Sequence, residues 1–276
     1  MKQNSAEKVL VFLDSGVGGL PYLRQTRGRV PCARLHYIAD DAGFPYGTKS
    51  VRVVEDILLD RTKRLRALLM PDFLIIACNT ASQIALKALR AAHPDLPIIG
   101  TVPAVKPAAE QSPSGCFGIM ATERAVADPY LDDLIARYAP EARVIKLPAQ
   151  GLVSFVEHRY LGSSAEERRR AVEPYVRRLI QEGADRIVLA CTHFLHVQED
   201  ITACAEALGA HELKIVDSLQ GVARRVEQLL GPATARDCPT EEQGQPGRFL
   251  LTGEPPFDPL YAVWAERFGL LPPEQL

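Results

Sequence analysis

The feature that most constrains the fold is a regular alternation of short apolar runs with longer amphipathic stretches. Strands that alternate with helices form βαβ units, and strands that are apolar throughout are buried on both faces, so the pattern predicts an α/β fold with mostly parallel sheets. The apolar runs are Lys8–Leu13, Leu35–Ala39, Phe73–Ala77, Ile98–Gly100, Cys116–Ala121, Arg143–Leu147, Arg186–Ala190, Lys214–Val216 and Arg248–Leu251. The amphipathic stretches are Val51–Leu69, Ser82–Ala92, Pro129–Tyr138, Ser164–Gln181 and Leu219–Leu230.

Two segments of the chain resemble each other. Phe73–Thr80 and Arg186–His193 each follow a helical stretch and a turn, and each runs through a buried strand into Ala-Cys and then polar residues. The repeat predicts two similar α/β halves, each with one cysteine at the carboxyl end of a strand. A Gly-Thr-Val-Pro break at Gly100–Pro103 predicts the boundary between them, and the polar stretch Gly231–Gly247 predicts a surface loop.

Composition excludes several classes of protein. Lys+Arg 32 against Asp+Glu 34 leaves no basic excess for nucleic acid, and the charged run Glu166–Arg170 is typical of a solvated helix face. No apolar stretch approaches the roughly 20 residues that span a bilayer, and no secretory signal is present, so we expect a cytoplasmic protein that does not contact membranes. Six scattered cysteines without a C-x-x-C pair predict neither a disulfide framework nor a metal site.

Cys78 and Cys191 are the strongest candidates for chemistry. Ligands bind outside the carboxyl ends of strands in open α/β sheets, and the N-terminus of a following helix lowers the pKa of a thiol there. Asn79 and Thr80 follow Cys78 and suit helix capping or ligand contacts, and His193 lies within reach of Cys191 as an acid–base partner. The alternative is that both cysteines are buried structural residues.

Two loops could hold a ligand. Asp14-Ser15-Gly16-Val17-Gly18-Gly19 follows the first strand, and its glycines could expose N–H groups to an anion; the alternative is a tight turn that Asp14 caps. In Asp40–Ser50, the Pro45-Tyr46-Gly47 segment could hold a small polar ligand; the alternative is an ordinary loop with a helix cap at Ser50.

Glu157 is a further acidic candidate, in an apolar-flanked segment. Its alternative interpretation is a solvated helix residue. No lysine is placed to form a Schiff base in these segments, so the chemistry would rest on thiols, carboxylates and a histidine without a cofactor.

Together these residues resemble the glutamate racemases of the aspartate/glutamate racemase superfamily. The resemblance rests on Asp14–Gly19, Pro45–Ser50, Ala77–Ser82 and Cys191–His193, in order along about the whole chain. It implies two pseudo-twofold-related α/β domains, 1–100 plus 217–276 and 101–216, with the active site between them. Local departures are Ala125, where many relatives have threonine, Phe194-Leu195, and Leu147–Gln150, which lacks a common cysteine.

The resemblance also implies roles for individual residues. Cys78 would deprotonate D-glutamate with help from Asp14, and Cys191 would deprotonate L-glutamate with help from His193. Asp40 and Glu157 match acidic positions that line the site and are taken as catalytic. Substrate contacts are implied for Asp14, Ser15, Pro45, Tyr46, Gly47, Cys78, Asn79, Thr80, Thr122, Cys191, Thr192 and His193. The family uses no cofactor, its members are often homodimers, and its D-glutamate feeds peptidoglycan synthesis and so maintains cell shape.

Three other functions remain open at this point. A racemase or lyase of the same superfamily would act on aspartate, a hydantoin or a disubstituted malonate. A binding protein would carry a vestigial site with structural cysteines. A cysteine hydrolase would use Cys191 and His193, but that reaction leaves Cys78 without a role.

Overall fold

A computed structural model describes residues 7–231 and 245–276. The described chain divides into two compact units, one of residues up to Thr101 together with Leu219–Leu276, and one of Val102–Ser218. Residues 232–244 of the predicted Gly231–Gly247 loop lie outside the described residues, and Gly247 itself begins a strand.

Each unit is built on a parallel sheet, which confirms the predicted fold class. The first sheet has the order β10-β9-β2-β1-β3-β4, and the second has the order β6-β5-β7-β8. All neighbouring strands in both sheets pair in parallel. The strands are β1 Val9–Asp14, β2 Arg34–Ala39, β3 Phe73–Ile76, β4 Ile98–Gly100, β5 Cys116–Ala121, β6 Arg143–Pro148, β7 Arg186–Leu189, β8 Lys214–Val216, β9 Gly247–Leu251 and β10 Leu270–Gln275.

Helices follow most of the strands. They are α1 Leu20–Arg27, α2 Val51–Leu69, α3 Asn79–Ala92, α4 Val105–Gln111, α5 Glu123–Ala127, α6 Pro129–Tyr138, α7 Gln150–His158, α8 Ala165–Gln181, α9 Gln198–Ala207, α10 Leu219–Leu230 and α11 Pro259–Arg267. Short 3-10 helices cover Asp41–Gly43, Tyr46–Thr48, Tyr160–Gly162 and Thr192–Val197. Within residues 7–231 and 245–276, no helix is long and apolar enough to cross a membrane.

Local sequence explains where the long helix α2 begins and ends. The Ser50 hydroxyl accepts a hydrogen bond from the amide of Val53, and Met70 ends the helix in the left-handed conformation with φ of 47°. Its buried stripe packs into the core of the first unit, beside β1 and β3. The buried residues of the helix are Val54, Leu58, Thr62, Leu65 and Leu69.

The two sheets share an internal strand order. In the first sheet β2-β1-β3-β4 are adjacent in that order, and β6-β5-β7-β8 repeat it in the second. The hydrogen bond from Ala77 N to Leu13 O beyond β3 has its counterpart in the bond from Ala190 N to Met120 O beyond β7, both at 2.8 Å. Cys78 and Cys191 therefore follow equivalent strands.

Several elements differ from the sequence prediction. Helix α3 begins at Asn79 instead of Ser82, because Cys78 occupies its N-cap position. Strand β10 was not predicted, since Pro272 and Pro273 argue against a strand; it lies at the edge of its sheet, where proline is tolerated. Helices α1, α4, α5, α7, α9 and α11 were also not predicted, and none exceeds ten residues.

Candidate active site

Three predicted site residues of the first unit follow adjacent strands. Asp14 ends β1, Asp40 comes directly after β2, and Cys78 lies two residues beyond β3. The amide of Asp40 donates to the carbonyl of Asp14 at 2.8 Å, as a continuation of the sheet. Because β2, β1 and β3 are parallel neighbours, their carboxyl ends bring the three side chains to one edge of the sheet.

Cys78 is the N-cap residue of α3. Its backbone is extended, with φ of −143° and ψ of 120°, and its side chain does not cap the helix. Cys78 therefore lies at the amino end of α3, where the helix dipole is positive.

Asn79, in the first turn of α3, has a buried carboxamide with neither polar atom hydrogen-bonded to any described residue. A buried polar group without a partner costs about 1–3 kcal/mol, and such groups occur where a ligand or water completes the site. Asn79 therefore stays a predicted ligand contact.

The glycine-rich loop after β1 is folded around Asp14. One carboxylate oxygen accepts from the amide of Ser15 and the other from the amide of Gly19, both at 2.8 Å. These two N–H groups serve Asp14 itself, as in the tight-turn interpretation of the loop. A Cβ atom at Gly19 would lie 2.7 Å from the Cβ of Ala77, so only glycine lets this loop approach the residue before Cys78.

The loop after β2 is organised around Asp40, which is fully buried. The hydroxyl of Tyr46 donates to Asp40 Oδ2 at 2.7 Å, and Arg61 Nε donates to Oδ1 at 2.9 Å. Thr252 Oγ1, beyond the end of β9, donates to the same Oδ1 at 2.5 Å. Asp40 thus connects the loop to helix α2 and to the C-terminal part of the sheet.

Tyr46 lies in the electrostatic field of the other site residues. Burial raises the pKa of its hydroxyl well above the usual value, and the Asp40 carboxylate, Cys78 and Asp14 raise it further. The phenol therefore stays protonated as a hydrogen-bond donor. Tyr46 and Cys78 also belong to the same buried cluster.

The second unit holds a buried row of three acid–base groups. His193 Nδ1 lies 3.9 Å from Cys191 Sγ, and His193 Nε2 lies 2.9 Å from Glu157 Oε2. Glu157 is only 3% exposed, so its interpretation as a solvated helix residue is wrong. Burial alone would lower the pKa of His193, but Cys191 and Glu157 outweigh it and raise the pKa well above its usual value.

The remaining predicted positions of the second unit are also buried near strand ends. Thr122 follows β5 and accepts a hydrogen bond from Ala125 N at 3.1 Å, so the alanine that replaces a common threonine is held by its backbone. Thr192, which lies between Cys191 and His193 in the sequence, is also buried. Gln150, after β6, was not predicted; its carboxamide has no hydrogen-bond partner among residues 7–231 and 245–276.

Arg61 was missed by the sequence analysis, although a signal for it exists. It occupies a position in the i, i+3, i+4 series of the buried stripe of α2, between Leu58 and Leu65. An arginine in an apolar helix stripe needs a buried anion as its partner. That anion is Asp40.

Metal coordination is not indicated by the side chains. Across the part of the chain that the structure describes, no group of three or more His, Cys, Asp or Glu residues is placed to hold a metal ion.

Fold and site together define a class of α/β enzyme with two similar units. Each unit has one buried thiol beyond the carboxyl end of an equivalent strand, β3 in the first and β7 in the second. Residues 22–226 match the Asp/Glu/Hydantoin racemase family. The chain belongs to this family, and the predicted enzyme class, an isomerase of the racemase type, is confirmed.

Several curated relatives carry one name. The glutamate racemase of Sphingopyxis alaskensis is 41% identical over 222 residues, which are 80% of this chain and 81% of the relative. The glutamate racemase of Proteus mirabilis is 36% identical over 234 residues, 83% of this chain and 78% of the relative. A crystal structure of the Escherichia coli glutamate racemase, in complex with L-glutamate and the activator UDP-MurNAc-ala, is 30% identical and covers 98% of each chain with a TM-score of 0.84.

Proposed function

We propose that this chain interconverts L- and D-glutamate by moving the α-proton between the thiols of Cys78 and Cys191, without a cofactor. The observation that carries the proposal is the equivalent placement of the two cysteines, each buried and each directly after the third strand of the shared order. The choice of glutamate is supported by the relatives, which are glutamate racemases, and by the L-glutamate bound to the Escherichia coli enzyme.

The chemistry requires two acid–base groups. Inversion of a carbon centre needs a base that removes the proton on one face and an acid that returns a proton on the other. The thiolate of a thiol whose pKa is near the working pH is a useful base. General acid–base catalysis raises the reaction rate by about 10²–10⁴-fold. In this proposal Cys78 acts on D-glutamate and Cys191 acts on L-glutamate.

Each thiol has its own polar partner in the proposal. Asp14 assists Cys78, and His193 assists Cys191 from a distance of 3.9 Å between Nδ1 and Sγ. Glu157 holds the far side of the imidazole and favours its protonated form. The protonated imidazole can donate a hydrogen bond toward Cys191 Sγ and so assist proton transfer at this thiol.

The charge that develops on the substrate needs donors. In this proposal the amino end of α3, Thr192 and the carboxamide of Asn79, which has no hydrogen-bond partner among the described residues, stabilise that charge. The further substrate contacts proposed are Ser15, Pro45, Tyr46, Gly47, Thr80 and Thr122. The D-glutamate formed would supply peptidoglycan synthesis.

The direct test is chiral analysis of L-glutamate incubated with the purified protein under reducing conditions, without pyridoxal phosphate. D-Glutamate should accumulate toward an equal mixture of the enantiomers. Aspartate and a hydantoin are included as substrates in the same assay. Racemisation of one of these, with glutamate unchanged, would contradict the choice of substrate.

Cysteine variants test the mechanism. Cys78→Ala and Cys191→Ala should each abolish racemisation, because each removes the proton carrier on one face. Cys204→Ala is the matched control, since Cys204 is also a buried cysteine but lies within helix α9 instead of directly after a strand. It should keep its turnover. Near-normal turnover in either of the first two variants would exclude a two-thiol mechanism.

A further inference from the structure

Asp40 has a different set of partners from the other acidic site residues. Its oxygens accept from three side chains, namely Arg61 and Thr252 at Oδ1 and Tyr46 at Oδ2. The carboxylate is completely buried, whereas the Arg61 side chain is 17% exposed. Most of the hydrogen-bonding capacity of this carboxylate is therefore already used by the protein.

We propose that Asp40 and Arg61 form a positioning pair, in which Arg61 balances the buried charge of Asp40 so that Asp40 can fix Tyr46. Arg61 thereby becomes a positioning residue of the reaction. The inference rests on the proposed function, since it assigns the pair to the placement of a loop that binds substrate.

The shape of the loop supports this role. A Cβ atom at Gly43 would lie 1.9 Å from Asp40 Oδ2, so the loop closes tightly over the carboxylate. The amide of Gly43 donates to the carbonyl of Asp40, and the Tyr46 hydroxyl then reaches back to the side chain. Asp40 thus holds the segment 43–46 at both ends, through its carbonyl at Gly43 and through its carboxylate at Tyr46.

Thr252, which directly follows β9, is itself fixed. The amides of Thr252 and Gly253 both donate to Asp41 Oδ1 at 2.8 Å. These bonds place the Thr252 hydroxyl against Asp40. A rigid scaffold on three sides is what a positioning group needs, whereas a proton carrier needs a free oxygen that faces its reaction partner.

The charges of the pair predict an asymmetry between single variants. Loss of Arg61 leaves a fully buried carboxylate without its cation, which is costly. Loss of the Asp40 charge leaves Arg61 with Asp60, whose carboxylate lies 2.8 Å from Arg61 Nη1 and is 57% exposed. We therefore expect Arg61→Met to be much more harmful than Asp40→Asn.

Neutralisation of both members should restore function. In Asp40→Asn/Arg61→Met, the carboxamide oxygen can still accept from Tyr46, and its NH₂ group can donate to the Thr252 hydroxyl. The bond from Tyr46 is then kept, and the bond with Thr252 remains with donor and acceptor exchanged, while the Thr252 hydroxyl proton can turn to Asp41 Oδ1 at 3.2 Å. No unpaired charge is buried. The double variant should have a higher kcat/KM than Arg61→Met.

The experiment measures KM and kcat for glutamate, and the thermal unfolding midpoint, in Asp40→Asn, Arg61→Met, Arg61→Lys and the double variant. Arg61→Met should lose kcat/KM by about a hundredfold, mainly through KM, as expected when a substrate-binding loop is displaced. The double variant should regain roughly tenfold or more of that loss, and Asp40→Asn should lose less kcat/KM than Arg61→Met, again mainly through KM. Arg61→Lys should fall between wild type and Arg61→Met, because lysine keeps the charge but not the planar donor group.

Arg66→Met is the matched control. Arg66 lies on the same helix and pairs with Asp95, whose side chain is 67% exposed, so its loss should leave both kinetic constants unchanged. A large loss of kcat in Asp40→Asn at unchanged KM would overturn the proposal, because it would make Asp40 a proton carrier. A double variant no better than Arg61→Met would overturn it as well.

Two further outcomes remain decisive. If Arg61→Met does not fold, a double variant that folds and racemises supports the pair, and one that is inactive contradicts it. If wild type does not racemise glutamate, the proposed function fails by itself. The order of the unfolding midpoints then tests the pair, which is supported only if the double variant is more stable than Arg61→Met.

Discussion

His193 Nε2 lies 2.9 Å from Glu157 Oε2, and both side chains are almost completely withdrawn from solvent. Glu157→Gln keeps a group that can accept the hydrogen bond but removes its charge. The pKa of His193 should therefore fall, and the protonated imidazole beside Cys191 should be lost at lower pH. We expect kcat for L-glutamate to fall by about 10- to 100-fold, with the basic limb of its pH profile displaced toward acid.

The control for this variant is Glu206→Gln, an exposed glutamate on α9, which should leave the pH profile unchanged. A Glu157→Gln profile that coincides with that of wild type would show that Glu157 does not set the protonation of His193.

Two glycines flank the short helix α1, and they predict opposite outcomes on substitution. A Cβ atom at Gly19 would lie 2.7 Å from both Cβ and O of Ala77, next to Cys78. Gly19→Ala should therefore displace this strand end, cost about 1–3 kcal/mol of unfolding free energy and reduce racemisation. The measurement is urea unfolding together with initial rates.

Gly28→Ala is the matched substitution at the other end of α1. Its nearest neighbour would be Gln25 O at 3.7 Å, an ordinary contact, and its backbone is already helical. The free energy of unfolding should stay the same or rise by about 0.4–1 kcal/mol. Equal losses in the two variants would contradict the close packing of Gly19 on Ala77.

Asn79 should show a conflict between stability and binding. Its buried carboxamide makes no hydrogen bond with the described residues, so Asn79→Leu should not destabilise the ligand-free chain and should raise its unfolding free energy by up to about 1 kcal/mol. At the same time KM for glutamate should rise, because the donor is lost. The two quantities are measured by urea unfolding without substrate and by steady-state rates.

Ser82, three residues further along α3, provides the contrast. Its hydroxyl is buried and bonded to the carbonyl of Ile76 and the amide of Thr101, so Ser82→Ala should cost about 1–3 kcal/mol. If Asn79→Leu were equally destabilised with an unchanged KM, Asn79 would be a structural residue.

His36 predicts a loss of stability in mild acid. Its Nδ1 accepts from Arg248 N at 2.8 Å, and burial, followed by the charges of Arg34 and Arg248, lowers its pKa to about 4. Because this folded-state pKa is below the unfolded value of 6.5, its contribution is full above pH 6.5 and declines as the pH falls toward 4.

Urea unfolding at several pH values between 7 and 4 should therefore be less pH-dependent in His36→Gln than in wild type. His211→Gln, at an exposed position, should keep the wild-type slope. An unchanged slope in His36→Gln would show that His36 is not the group that titrates.

Much of the first sheet and its edge could be predicted because the signal is local. Runs such as Phe73–Ile76 are apolar throughout, and a polar cluster follows each of them, so strand ends and candidate residues are visible together in the sequence. The parallel pairing then follows from the alternation with helices. The prediction that Cys78 and Cys191 act as a pair rests on the repeat of strand, alanine and cysteine.

Partners that come from distant parts of the chain could not be predicted in this way. Thr252 reaches Asp40 across 212 positions, and Glu157 reaches His193 across 36. The local pattern of apolar and polar residues does not predict contacts between residues so far apart in the sequence. Glu157 also illustrates a competing signal, because a single acid in a helical segment is usually solvated, and only its partner explains its burial.

The unlike partners of the two thiols limit how the two directions of the reaction can differ. Cys191 has the imidazole of His193 at 3.9 Å, whereas the partner proposed for Cys78 is the Asp14 carboxylate. Enantiomers have equal free energies in water, so the equilibrium constant of a racemase is one, and kcat/KM must be the same in both directions at every pH. The asymmetry of the two units can therefore appear only in kcat and KM taken separately. If kcat is higher for one enantiomer, KM for that enantiomer must be higher by the same factor.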